Sequence, residues 1–179
     1  MKKKDLLSIA DLLPSEIEGV LRRAAELKGG ATSTALAGKS VALLFEKPSL
    51  RTKASFDLAV HQLGGHPIYF GGEEVGLGKR EPVADVARVL ERYVDAIVAR
   101  TFAHSTLVEL AEWASVPVIN ALSDEEHPCQ ALGDLLTLQE HRGKLQGLTI
   151  AYIGDGNNVA ISLALGAALV GASFVIASP

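Results

Sequence analysis

The 179-residue chain is 48% hydrophobic and 21% charged, enough apolar material for a packed core, which excludes a wholly disordered or fibrous protein. Its 17 Lys and Arg stand against 21 Asp and Glu, and the resulting net charge of −4 argues against a general nucleic-acid or membrane-surface binder while leaving room for a local cationic pocket. A single cysteine, Cys129, excludes an intramolecular disulfide and a Cys-rich zinc site, and no apolar run reaches the roughly 18 residues of a bilayer span. The basic start continues into Asp5 and Asp11, which interrupt what would have to be an apolar signal region, so a cytoplasmic protein is expected.

The chain opens with a helical pattern in which Ile17, Val20, Leu21, Ala24 and Leu27 share a face, and Ser15 with Glu18 matches a capping box. Four short apolar runs follow: Val41 to Phe45, Pro67 to Phe70, Ala96 to Ala99 and Pro117 to Ile119. They are apolar throughout rather than alternating, as parallel strands covered on both faces are. Helical patterns run between them, from Arg51 to Leu63, Pro82 to Val94 and Thr106 to Ala114, with Pro82 suited to a first turn. The alternation predicts βαβ units: an α/β fold with a parallel sheet flanked by helices on both faces. A longer helix is predicted from about Pro128 to His141, and Gly143 and Gly147 bracket a turn. A new strand begins at Leu148, Gly154-Asp155-Gly156 turns into a helix from Asn157 to Gly171, and Phe174 to Ile176 starts another strand. These last elements are too few to cover both faces of a sheet. Leu148, Ile150, Ile153, Leu163, Leu165, Leu169 and Val175 are therefore expected to lack covering partners in a molecule that ends at Pro179.

Four places carry chemistry. Phe45-Glu46-Lys47-Pro48-Ser49-Leu50-Arg51-Thr52-Lys53 sits where a strand ends and a helix begins, the place where an α/β sheet presents ligands. A helix N-terminus offers unpaired N–H groups and the positive dipole end; Ser49 and Thr52 add hydroxyls, and Arg51 adds a planar fork matched to phosphate. The alternative is a Ser-capped helix with solvated cations. The glycines of a Walker-type loop are missing. His127-Pro128-Cys129-Gln130 places an imidazole and a carboxamide on one helical turn, suited to a small carbonyl and its amide, or else to simple capping. Adjacency of Cys129 and His127 is poor support for a nucleophile pair, and a buried inert thiol fits better. Arg100 ends an apolar strand, where it points into the ligand crevice or pairs with a carboxylate such as Glu81 or Glu112. Gly154-Asp155-Gly156-Asn157-Asn158 resembles the start of a dinucleotide fingerprint, but Val159 stands where the third glycine should be. Its asparagines suit an amino acid's polar end, with Asn157 as an ordinary helix cap.

In this order and spacing the four places resemble the aspartate/ornithine carbamoyltransferase family across essentially the whole chain. The first is similar to the family's Ser-Thr-Arg-Thr-Arg loop, and the Cys129 form of the His-Pro-Cys-Gln element resembles the ornithine branch. The resemblance implies a carbamoyl-phosphate-binding domain over 1–143, including most of the linking helix, and from 144–179 the start of a Rossmann-like amino-acid-binding domain. It implies carbamoyl transfer from carbamoyl phosphate to the side-chain amine of L-ornithine, giving citrulline and phosphate in arginine metabolism. It also implies a homo-oligomer built on trimers with shared sites, and no metal or organic cofactor. Carried over by position, Ser49, Leu50 (through its N–H), Arg51 and Thr52 wrap the phosphate, and Arg100 bridges phosphate and carbamoyl oxygen. His127 polarises the carbonyl, Gln130 holds the carbamoyl amino group, and Asn158 binds the ornithine backbone end.

Lys53 and Leu50 depart from the family's Arg and Thr, and the loop from Gly72 to Glu81 lacks the Gln by which many relatives reach a neighbouring site; Lys79 or Arg80 is the substitute. The late family motifs, an Asp with Ser-Met-Gly and His-Cys-Leu-Pro, are absent from these residues, so the 179-residue chain alone is expected to be inactive. Aspartate or N-acetylornithine transfer, a non-catalytic carbamoyl-phosphate-binding module and a nicotinamide-binding domain are the competing readings.

Overall fold

The computed structural model describes residues 4–179; the basic start, Met1 to Lys3, lies outside them. By packing the chain divides into one unit of residues 32–123 and another of residues 1–31 with 124–179.

The 32–123 unit is built on four parallel strands, β1 (Ser40–Phe45), β2 (His66–Gly71), β3 (Ala96–Arg100) and β4 (Val118–Leu122), in the order β2-β1-β3-β4. Each strand runs where an apolar run predicts it. β1 is central, and Val41 through Phe45 are all buried, so both of its faces are covered. Val41, Leu43 and Phe45 share one face with Val60 of the following helix, α2 (Leu50–Gln62), while Ala42 and Leu44 face the other way. β2 is an edge and only half-buried, which is where Pro67, lacking an N–H for a ladder, is tolerated. A single-turn α3 (Gly72–Val75) follows β2 in the segment read as loop. Helix α4 spans Val83–Leu90 and α5 spans His104–Trp113. The stretch read as Pro82 to Val94 is thus shorter: Pro82 is the N-cap, and the chain leaves the helix at Glu91, whose carboxylate accepts the Ser115 N–H at 2.6 Å.

The other unit contains a short 3-10 turn (Ile9–Asp11), helices α1 (Pro14–Lys28), α6 (Pro128–Arg142) and α7 (Asn158–Leu169), and the parallel pair β5 (Thr149–Ile153) and β6 (Ser173–Ala177). The capping box expected at Ser15 and Glu18 does not form; the helix starts two residues earlier, at an N-cap, Leu13, whose side chain cannot accept. Pro14 takes the first helical position, where its missing N–H costs nothing, and the Leu13 N–H donates to Glu16 Oε2 at 2.9 Å. Ile9, Leu12, Ile17, Leu21, Ala131, Leu135, Ile150, Leu163 and Ala167 form one core. Ile150 and Leu163 are therefore buried, against the expectation that they would lack partners, because the 3-10 turn and α6 return to cover that face of α7. Leu148 and Leu169 are partly buried on the same core. Ile153 (87% exposed), Val175 (55%) and Leu165 (37%) do stay open.

Candidate active site

Three of the predicted residues meet at the C-terminal edge of the four-stranded sheet. Phe45 and Arg100 are register partners on neighbouring strands. Just beyond them the Glu46 N–H donates to the Arg100 carbonyl at 2.9 Å, and the Phe102 N–H donates to Glu46 Oε2 at 2.8 Å. These bonds lace the two strand ends together before the chain enters α2. Ser49 is the N-cap of α2: its hydroxyl accepts the Thr52 N–H at 3.4 Å and donates to Thr52 Oγ1 at 3.0 Å. Arg100 reaches across from β3, with Nη1 at 3.5 Å from the same Thr52 oxygen.

That last bond is long, and the rest of the guanidinium is underused. Arg100 Nε is buried without a hydrogen-bond partner among the described residues, and Arg100 makes no ion pair there with Glu81, Glu112 or any other carboxylate. Burial lowers its pKa from the ordinary arginine value, yet a guanidinium stays charged throughout the biological range. A partly desolvated cation with an unspent donor, aimed at a weakly capped helix N-terminus, is arranged to receive an anion. Arg51 and Leu50 are exposed beside it, Leu50 at 86%, so Leu50 offers backbone rather than side chain. The two lysines of the loop are held aside on aromatic rings, Lys47 at 4.5 Å from the Phe102 centroid and Lys53 at 3.4 Å from that of Tyr69. Next to this corner lies a cavity of about 780 Å³, lined among others by Glu46, Pro48, Tyr69, Glu74, Lys79 and Phe102. Arg80 turns its Nη1 back to the Glu74 carbonyl at 3.0 Å, while Lys79 lines the cavity.

His127, Gln130 and Asn158 belong to the other unit. His127 is the N-cap of α6 and half-buried, and its own N–H donates to Ser162 Oγ at 2.8 Å. Gln130 is exposed, and its Nε2 donates to Asp134 Oδ1 at 2.9 Å. A carboxylate only accepts, so Asp134 fixes the amide with its oxygen free to take N–H groups from a ligand. Asp134 stands four residues on, a spacing visible in the sequence. Burial pushes the Cys129 thiol up to about 11, which fits an inert thiol rather than a nucleophile. Asn157 caps α7, its Oδ1 accepting from the Val159 and Ala160 N–H groups at 3.0 and 3.2 Å, and Asn158 is the half-buried first helical residue. Sequence reasoning missed Glu126 and Ser162, two buried polar residues behind His127. A serine four residues after Asn158 on an otherwise apolar helix was the available signal.

The 32–123 unit thus belongs to the class of parallel α/β domains with a strand-to-helix turn open to an anion, and the same chain carries a His-Pro-Cys-Gln helix start. Residues 4–140 match the family model described as aspartate/ornithine carbamoyltransferase, carbamoyl-P binding domain. The chain belongs to this family. It is 52% identical to an ornithine carbamoyltransferase of Anoxybacillus flavithermus, over all of this chain and 58% of that enzyme. Identity to the ornithine carbamoyltransferase of Methanocaldococcus jannaschii is 59% over 80% of this chain and 47% of the relative. Among solved structures, that of ornithine carbamoyltransferase from Thermus thermophilus superposes with a TM-score of 0.94 at 50% identity, covering 99% of this chain and 62% of that one. The Pyrococcus furiosus enzyme gives 0.93 at 45%, covering 98% and 57%. The chain thus spans between about half and three fifths of the length of these relatives. The parallel sheet and the α/β class are as the sequence predicts.

Proposed function

We propose that the chain supplies the carbamoyl-phosphate-binding half of an ornithine carbamoyltransferase, which moves the carbamoyl group of carbamoyl phosphate to the side-chain amine of L-ornithine and releases citrulline and phosphate. The observation that carries this reading is the convergence of Ser49, Thr52 and the underused Arg100 guanidinium at the start of α2.

The neutral amine attacks the carbamoyl carbon, negative charge grows on the carbonyl oxygen, and the bond to phosphate then breaks. Ser49, the Leu50 N–H, Arg51 and Thr52 hold the phosphate, and Arg100 bridges it to the carbamoyl oxygen. His127 donates to that oxygen as its charge grows, and Gln130, its amide oriented by Asp134, accepts from the carbamoyl amino group. Asn158 takes the backbone end of ornithine. Donors preorganised on a developing oxyanion are worth roughly 2.7–4 kcal/mol each where they have been removed. The ornithine branch, rather than aspartate or N-acetylornithine transfer, is supported by Cys129 in the His-Pro-Cys-Gln element and by the names of the relatives. The same reading includes a domain boundary near 143, a cytoplasmic location and a trimer-based oligomer in which Lys79 or Arg80 reaches a neighbouring site.

Arg51→Ala tests it. A charge-assisted bond to an anion is worth about 1.5–3 kcal/mol, and about 1.4 kcal/mol is tenfold in affinity. Calorimetric titration with carbamoyl phosphate should show affinity weakened more than tenfold with the fold intact; unchanged affinity would sink the phosphate-loop reading.

A further inference from the structure

His127 is tied to α7 through a buried polar hub. Ser162, fully buried on α7, accepts the His127 N–H at 2.8 Å and donates its own hydroxyl proton to Glu126 Oε2 at 2.9 Å. The same Glu126 oxygen takes the Ile9 N–H at 3.3 Å. Glu126 is 8% exposed and Ile9 is fully buried, so the bonds are shielded from competing water. One carboxylate and one hydroxyl therefore join the 3-10 turn, the start of α6 and the middle of α7.

The position of Ser162 on α7 gives the hub its meaning. Asn158, Ser162 and Gly166 follow one another at intervals of four, so they form a single stripe of the helix. At one end the stripe carries the residue assigned to the amino acid. In the middle it holds His127. At the far end it touches the 3-10 turn so closely that a Cβ on Gly166 would meet Ile9 Cδ1 at 2.9 Å. The helix end that receives the nucleophile and the residue that polarises the electrophile are thus fixed to one stripe.

We propose that Ser162, held by Glu126, is a positioning residue for carbamoyl transfer. It locks His127 to α7, so that the carbonyl polariser and the amino-acid-binding end of that helix keep one spacing. The inference rests on the proposed role of His127 and adds to it a residue that touches neither substrate. Removing the hydroxyl takes away the acceptor that the half-buried His127 N–H has on α7 and loosens the start of α6. Displacements near 1 Å are enough to cost on the order of a hundredfold in rate.

The test is a double-mutant cycle in the complete enzyme, with kcat read at saturating carbamoyl phosphate and ornithine and corrected for folded protein. Ser162→Ala should lower kcat at least tenfold while the affinity for inorganic phosphate stays within twofold. In a His127→Gln background the same change should cost less than twofold, because the group it positions is already gone. Equal losses in both backgrounds would make Ser162 merely structural and overturn the inference. A His127→Gln enzyme with unchanged kcat would instead overturn the reading of His127 itself, so the two failures are distinguishable. If Ser162→Ala does not fold, Ser162→Cys gives the same comparison, since it keeps the volume and sulfur is only a weak acceptor.

Discussion

Arg100→Met separates a ligand-binding arginine from a structural one. The methionine keeps the aliphatic stem that packs at the end of β3 and leaves the strand's backbone bonds untouched. Among the described residues the guanidinium makes one bond, to Thr52 Oγ1 at 3.5 Å, and buries Nε without a partner. The bond is at the far limit of hydrogen-bond length and falls well short of the roughly 1.5–3 kcal/mol of a good charged one. The unpartnered Nε costs about 1–3 kcal/mol, so the two contributions nearly cancel and unliganded stability should stay within about 1 kcal/mol of wild type. With ligand the balance reverses. A guanidinium bridging phosphate and carbonyl contributes at least one charge-assisted bond, so affinity should drop about 10- to 150-fold. At a carbamoyl-phosphate concentration a hundred times the wild-type Kd, ligand stabilises the wild type by about 2.7 kcal/mol; a variant thirtyfold weaker gains only about 0.9 kcal/mol. Urea denaturation with and without carbamoyl phosphate measures both quantities. A variant that loses several kcal/mol unliganded but keeps its ligand-induced gain would show that Arg100 belongs to the fold rather than the site.

Cys129, with its thiol pushed up to about 11 against an ordinary 9.0, should hold about a hundredfold less thiolate at pH 7.5 than a free thiol, and its iodoacetamide alkylation should be slower in proportion. Asp95 is held below its ordinary 3.8 by the Lys39 ammonium at 2.7 Å and then by the Ser40 N–H at 2.9 Å. A depressed carboxylate contributes stability above its unfolded pKa and loses it as pH falls through the folded value. The urea midpoint of Asp95→Asn should therefore lie below wild type at pH 7 and converge on it as pH falls below the ordinary carboxylate range; a constant gap would contradict the assignment. Gly72→Ala places a Cβ 2.9 Å from the Glu46 carbonyl oxygen and 3.1 Å from its Cα, backbone that has no rotamer to yield. It should cost about 1–3 kcal/mol by chemical denaturation and weaken phosphate binding as well, because Glu46 leads into the Ser49 loop.

The parallel sheet was legible because its strands are apolar without alternation and are separated by helical periodicity. That pattern depends on burial alone and not on which neighbour does the burying. The candidate site residues could be picked out because each stands near the junction of an apolar run and a helix. What the residues could not express was the identity of partners far away in sequence. Ile150 and Leu163 seemed uncovered because local pattern gives no sign that a 3-10 turn at Ile9 and a helix beginning at Pro128 close over them. Glu126 ends the run Asp124-Glu125-Glu126, and nothing in that local pattern separates it from its exposed neighbours, although the structure buries it against Ile9, 117 residues away. The Ser15 box failed for a local reason: Pro14 competes for the helix start, and a fixed φ with no N–H to satisfy outweighs a matched pair of polar side chains.

The strand-to-helix turns at α2 and α7 differ in how their caps meet an anion. At α7 the cap is complete: Asn157 Oδ1 takes two of the first N–H groups at 3.0 and 3.2 Å. A carbonyl oxygen already stands where a phosphate oxygen would have to go, and no Lys or Arg lies between Gly154 and Leu169. At α2 the cap is slack. The Ser49 hydroxyl holds the Thr52 N–H at 3.4 Å and shares itself with Thr52 Oγ1, and the Leu50 and Arg51 N–H groups have no partner among the described residues. Arg51 and Arg100 then supply charge around donors left open. The dipole is the same at both helix ends, so the side chains decide: Ser49, Thr52 and the arginines leave the start of α2 open to an anion, while Asn157 closes the first turn of α7 on itself. On that ground the dinucleotide reading of Gly154 to Asn158 fails physically, and the caps support the proposal that places the phosphate at α2 rather than at α7.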